Sequence, residues 1–280
     1  MSVLRTNGLS TEYERTGTGT PIVLVHGGWM SADMWEPQVD FLADRYRVLT
    51  YDIRGHGRTG GTDEPTYSID RFVDDLRALV ERLSLDRPVL CGLSLGGMIA
   101  QTYAHRYPDA VRGLVLAGSM QSFPPLPITR LQQEILFPRS ALYPSMYAIG
   151  ARSYFRLLLQ GIRFARGGRP WLTLDDDVRR YAMRDVGRLA PGEFVKIFDA
   201  MYDFDTRDGL AITVPTLVLT GDHEAAPVVA QGDRLAETIE NASRATVPNA
   251  GHLSNLDNPE AFNRALDRFL ADLDDSSLYG

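Results

Sequence analysis

The sequence predicts an α/β fold: a doubly wound, mostly parallel sheet with a helical segment inserted between two of its strands. Three observations predict it. Short apolar runs bounded by Gly, Pro or Asp recur at 21–25, 47–51, 88–91, 113–117, 215–220 and 244–247. Runs that are apolar rather than alternating suit strands buried on both faces of a parallel sheet. Segments of helical period lie between them, and strand–helix alternation at both ends of the chain implies parallel βαβ units of fixed hand. The alternation then lapses between about 121 and 210 and resumes at Val214-Pro215.

Taken in order, residues 2–6 and 9–15 flank Asn7-Gly8 and read as a hairpin. Over 68–83, Ile69, Phe72, Val73, Leu76, Leu79, Val80 and Leu83 fall at helical spacing, with Ser68 suited to the N-cap. Residues 96–106 and 259–273 read as further helices, the latter with Pro259 in its first turn. The 121–210 stretch opens on Pro124, Pro125 and Pro127, holds no strand-like run and contains several helical segments. The organisation expected is a core formed by 1–120 and 211–280, with 121–210 as a helical insertion.

Composition narrows the function. The chain has 280 residues, 44% hydrophobic and 23% charged, with a formal charge of −7. That length and balance fit one large domain and disfavour nucleic acid as a partner. A single cysteine, Cys91, excludes a disulfide framework and a cysteine-rich zinc site. Among the basic residues 28 are Arg and only Lys196 is Lys, so lysine Schiff-base chemistry has one candidate, in no recognisable motif. No tight metal-ligand spacing occurs, and neither metal nor cofactor is expected. The first residues lack the apolar run of a signal peptide and no run reaches membrane-span length, so a cytoplasmic, non-membrane protein is expected.

The strongest chemical signal is Gly92-Leu93-Ser94-Leu95-Gly96, between a strand and a helix. G-x-S-x-G in that setting is a nucleophile elbow, a turn so tight that its flanking positions require glycine while the serine Oγ stands above the sheet. Two further strings follow strands: His26-Gly27-Gly28-Trp29, and Tyr51-Asp52-Ile53-Arg54-Gly55-His56-Gly57-Arg58. With these three motifs nearly the whole chain resembles the α/β-hydrolase superfamily, and the 51–120 block is similar to 3-oxoadipate enol-lactonases and related small esterases. The resemblance implies an oxyanion hole from the backbone amides of Gly28 and Leu95, with Trp29 competing for the first place. The His-Gly-Gly-Trp loop departs from those lactonases.

A serine nucleophile needs a base. Of five histidines, the resemblance makes His26 and His56 structural, and His105 falls late in the elbow helix. His252, in Asn249-Ala250-Gly251-His252 after the last strand, occupies the superfamily's histidine loop and is the expected base. The acid follows the 215–220 strand in Gly221-Asp222-His223-Glu224, where Glu224 holds the usual position and Asp222 is its rival. The order Ser94, Glu224, His252 is that of this fold. Serine at the elbow also speaks against dehalogenase and epoxide-hydrolase chemistry, which the superfamily runs from Asp.

The resemblance implies that the 121–210 insertion is a lid over the serine, and it carries Trp29's expected partners in substrate binding, Tyr143, Tyr147 and Tyr154. Residues 121–170 hold seven Arg against one acid, Glu134, a surplus of +6 that leaves −13 for the rest. On one helix over 145–166, Arg152, Arg156, Arg163 and Arg166 share a narrow face. That face is either solvated or sends one or two arginines into the pocket to clamp an anionic group, making a carboxylate-bearing substrate worth testing. The reaction expected is cleavage of a small carboxylic ester or lactone through an acyl-enzyme. Alternatives with the same triad are a carbon–carbon (diketone) hydrolase and a cofactor-free perhydrolase; a ligand receptor with a slow triad is the alternative of another class. Monomer and homodimer are both open.

Overall fold

One sheet of eight strands organises the computed structural model, which describes residues 1–207 and 209–276. The strands are β1 (Ser2–Thr6), β2 (Leu9–Thr16), β3 (Pro21–Val25), β4 (Arg47–Tyr51), β5 (Val89–Leu93), β6 (Gly113–Ala117), β7 (Thr216–Gly221) and β8 (Ala242–Val247). Their spatial order is β1-β2-β4-β3-β5-β6-β7-β8. The β1–β2 and β2–β4 pairs are antiparallel and all others parallel. Val25 pairs with Gly92, Leu93 with Ala117 and Gly221 with Val247, so the loops after these strands leave the same edge of the sheet. That carboxyl edge is where open α/β sheets bind ligands.

The helices are α1 (Glu36–Leu42), α2 (Ile69–Arg82), α3 (Leu95–Arg106), α4 (Arg130–Leu136), α5 (Arg139–Ile149), α6 (Ala151–Ala165), α7 (Asp176–Val186), α8 (Pro191–Tyr202), α9 (Ala226–Thr238), α10 (Ser254–Asp257) and α11 (Pro259–Ser276). Ser68 caps α2, its side chain accepting from the Arg71 N–H at 3.1 Å. The central strands read as apolar because both faces are covered: Val23, Leu90, Leu116 and Leu219 are fully buried. Each such side chain contributes roughly 1.5–3 kcal/mol over its exposed state.

Five helices, α4 to α8, lie between β6 and β7, and an isolated bridge between Ser122 and Asp205 brings the two ends of this insert together. The single helix considered over 145–166 is instead two: Gly150, at φ 77°, ends α5 and starts α6. A left-handed residue cannot continue a right-handed helix, and glycine takes that conformation without steric cost. Hydrogen bonds that tie the insert to the core include Ser31 Oγ to Asp185 (2.6 Å), Tyr67 Oη to Glu193 (2.6 Å) and Lys196 Nζ to the Thr62 carbonyl (2.7 Å). Among the described residues no helix is long and apolar enough to cross a membrane.

Candidate active site

The chain leaves β5 and enters α3 through Ser94, whose backbone sits at φ 54°, ψ −112°. This conformation costs a non-glycine residue on the order of 1–3 kcal/mol and persists only where its surroundings impose it. Here they do. A β-carbon on Gly92 would lie 2.2 Å from the Gly96 carbonyl oxygen, and one on Gly96 would lie 2.0 Å from that of Val25. The Ser94 N–H donates to the Ala117 carbonyl at 2.9 Å, fixing the elbow against β6.

Immediately beyond Ala117, Gly118 faces the other two candidates. A β-carbon there would stand 3.1 Å from His252 Nδ1 and 3.3 Å from Glu224 Oε2. The structure therefore pairs His252 with Glu224 beside Gly118, one residue past the Ala117 carbonyl that anchors Ser94, and all three are under a tenth exposed. His252 Nδ1 and Glu224 Oε2 are 2.7 Å apart. Glu224 is otherwise held by two donors, Trp171 Nε1 at 2.5 Å and the Ala225 N–H at 2.7 Å, both on Oε1.

Asp222 occupies a different place. Its side chain is exposed, and Oδ1 accepts the Ala250 N–H at 2.9 Å. Burial alone would raise its pKa, but the Ala250 and Asn249 N–H groups outweigh that and hold it below the usual carboxylate range. Asp222 thus braces the histidine loop, as do three other contacts. Gly251 N–H donates to Asp257 (2.8 Å), His252 N–H to the Trp171 carbonyl (2.9 Å) and Leu253 N–H to the Leu172 carbonyl (2.8 Å). Four successive amides are satisfied, which is why an irregular loop can hold a buried imidazole in place.

The loop after β3 lies against the elbow: a β-carbon on Gly28 would come within 3.7 Å of Leu95 Cβ. The same position would meet Met201 Sδ of α8 at 3.1 Å, so Met201 sits directly over the Gly28 backbone. Trp29 is itself left-handed, at φ 64°. Its ring stacks on Phe194 at 4.6 Å and 12°, meets Phe155 edge-on and donates from Nε1 to the Phe194 carbonyl at 3.2 Å. Tyr154 joins this cluster edge-on to Phe194 at 5.9 Å, and burial raises its pKa. Tyr143 and Tyr147 do not join it. The Tyr143 hydroxyl bonds to Asp199, and Tyr147 is 56% exposed.

The remaining histidines serve the loops. His26 Nε2 accepts the Ile53 N–H at 2.9 Å, which requires the proton on Nδ1, 2.8 Å from the Gly27 carbonyl. Burial lowers its pKa to about 4. His56 stands edge-on to it at 4.9 Å and is lowered to about 3, first by burial and then by His26. Arg54 and Asp52 of the same string are also structural. The Arg54 guanidinium grips buried Asp75 with two bonds (2.7 and 2.8 Å), and Asp52 accepts the Ala32 and Arg58 amides, both at 2.7 Å. His105 and His223 are exposed. Burial pushes the Cys91 thiol well above its usual range.

The insert's arginines go elsewhere than the serine. Arg130 and Arg139 pair with Asp203, and Arg139 also with Asp199 at 2.9 Å. Arg166 donates to the carbonyls of Pro170, His223 and Glu224 at 2.6, 2.7 and 3.1 Å. Arg152, Arg156 and Arg163 line a groove between α6 and α7. Sequence reasoning did not find Trp171, Met201 or Asp257. The only signal for Trp171 was its type, since a buried indole N–H requires an acceptor.

Comparison with known proteins places this geometry. A family described as alpha/beta hydrolase fold matches residues 20–259. The 3-oxoadipate enol-lactonase 2 of Acinetobacter baylyi is 26% identical over 84% of this chain and 82% of its own length. A putative non-heme chloroperoxidase of Synechocystis is 31% identical over 92% of this chain and 94% of its own. Among solved structures, a thermophilic esterase from Thermogutta terrifontis with malate bound superposes at a TM-score of 0.78, with 27% identity and 97% of each chain covered.

Proposed function

The chain belongs to the alpha/beta hydrolase family, and from that membership we propose that it cleaves a carboxylic ester or lactone of a small molecule through Ser94, His252 and Glu224. One observation carries the reading: the 2.7 Å contact between His252 Nδ1 and the buried Glu224 carboxylate, set against a serine in a strained elbow. The enol-lactonase and esterase relatives support the bond type.

Ser94 Oγ attacks the substrate carbonyl while His252 takes its proton at Nε2. Glu224 keeps the Nδ1 proton in place and stabilises the imidazolium as it forms. Negative charge on the carbonyl oxygen is received by the amides of Gly28 and Leu95, whose loops already abut. His252 then protonates the departing alkoxide, the acyl group stays on Ser94, and a water activated by His252 releases it as the acid. In this reading 1–120 and 211–280 form the catalytic core, and the 121–210 insert is the lid. Met201, Trp29 and Tyr154 shape the acyl side of the site.

The chloroperoxidase relative favours one second reading, in which hydrogen peroxide replaces water on the acyl-enzyme and leaves as a peracid. Both readings share one test. A panel of p-nitrophenyl esters and lactones is assayed with the wild type and Ser94→Ala. Turnover that falls by about 10⁴-fold or more in the variant is expected; turnover indifferent to Ser94 overturns the proposal. Adding peroxide and a peracid-trapping halide acceptor separates the two readings.

A further inference from the structure

Between α6 and α7 runs a groove of about 800 Å³ that Ser94 does not line. Arg152, Arg156 and Arg163 reach it from α6 and Arg184 from α7, and no acidic side chain lines it. Three more lining arginines, Arg179, Arg180 and Arg188, each pair with the aspartate three residues earlier. The four named first have no carboxylate partner among the described residues. Arg163 donates to the Gly168 carbonyl at 2.8 Å, and Arg184 lies over the ring of Tyr181. Four like charges gathered around one concave surface repel each other, and their field draws in a counter-anion.

Trp171, Leu172, Leu159 and Met183 line the groove as well, setting an aromatic ring and aliphatic side chains in the same space as the guanidinium groups. The volume falls in the range of small-molecule sites, roughly 300–1,000 Å³. Guanidinium forks match phosphate oxygens two at a time, and several forks around one groove suit linked phosphates better than a single charge.

We propose that this groove binds a small molecule carrying an oligophosphate joined to a flat apolar group, the chemistry of a nucleotide. The site is separate from the serine and does not depend on the ester or lactone reading. It abuts the histidine loop through Trp171, whose carbonyl accepts the His252 N–H.

Titration calorimetry of the full chain with ATP, tripolyphosphate, citrate and adenosine, in about 0.15 M salt without divalent cations, tests it. ATP and tripolyphosphate should bind at one site per chain, citrate and adenosine much more weakly. Arg152→Gln with Arg156→Gln should weaken ATP by about tenfold or more. Arg82→Gln, on the exposed end of α2, should leave it unchanged. Circular dichroism and Tm verify the double variant's fold, and Arg184→Gln provides the same readout should that variant not fold. No binding of either phosphate, equal binding of citrate, or equal weakening by Arg82→Gln would each overturn the proposal.

Discussion

Acid should loosen this protein through two buried imidazoles, His26 and His56, in the loops after β3 and β4. An unfolded histidine titrates near 6.5, whereas folded His26 and His56 are held down to about 4 and about 3. At pH 5 the unfolded chain has therefore taken up protons that the folded chain refuses. More protons on the unfolded state means that stability rises with pH. The contribution is complete above about pH 6.5 and is lost as pH falls, until the folded pKa is reached. Each such group supplies a slope of about 1.36 kcal/mol per pH unit. Between pH 6.5 and 5 that is about 2 kcal/mol per histidine and about 4 kcal/mol for the pair, against a total stability of roughly 5–15 kcal/mol.

His56 is the better place to measure this. Its Nδ1 lies 3.0 Å from the Arg54 carbonyl, a bond an asparagine amide can replace, and its Nε2 has no hydrogen-bond partner among the described residues. Urea unfolding of the wild type and His56→Asn at pH 7.5 and 5.0 gives four free energies. Carboxylates that titrate in both proteins cancel in the difference of differences. The wild type should lose about 2 kcal/mol more than the variant across that interval. An equal loss in both would refute the account, because it would mean His56 is charged in the folded protein or never differs from the unfolded chain.

Two further predictions concern the acid. Glu224→Gln should lower kcat on a p-nitrophenyl ester by on the order of 10³- to 10⁴-fold, whereas Asp222→Asn, which retains an oxygen for the Ala250 N–H, should stay within about tenfold of wild type; the reverse ranking would move the triad acid to Asp222. Trp171→Phe removes one donor from Glu224 and should cut kcat about tenfold with KM held, and an unchanged kcat would reduce Trp171 to packing.

The parts of the fold legible in the sequence are those that short-range rules govern. Apolar runs gave the strands of the parallel sheet, Ser68 marked a helix start, and the elbow glycines declared a turn in which a β-carbon would collide with the Gly96 and Val25 carbonyls. Long-range partnerships were not legible. Nothing near Trp171 indicates that its indole would meet Glu224, 53 positions away, and nothing near Met201 places it over Gly28. The helices α1 and α9 escaped notice because Pro37 and Pro227 and the mid-helix Gly232 blur their period, although proline in the first turn suits a helix start. The arginine surplus was countable, but its destination was not. The four arginines of the expected face all fall on α6 or its C-cap, yet Arg166 turns back to the acid loop while Arg152, Arg156 and Arg163 turn out to the groove.

These partnerships also constrain how the insert can act as a cover. Trp171 and Leu172 are part of it by sequence, yet their carbonyls hold the His252 and Leu253 amides, and the Trp171 indole holds Glu224. Lifting that segment would strip three hydrogen bonds from the histidine loop and the acid together. Any opening that leaves His252 and Glu224 paired must therefore pivot before Trp171. Gly167 and Gly168, at φ 63° and 89° with open space where a β-carbon would stand, separate α6 from that anchor. The Arg166 contacts to His223 and Glu224 lie just ahead of this pair and would break first. An anion in the α6–α7 groove sits across the same junction, so its binding would favour the closed arrangement by as much as it prefers that arrangement to the open one.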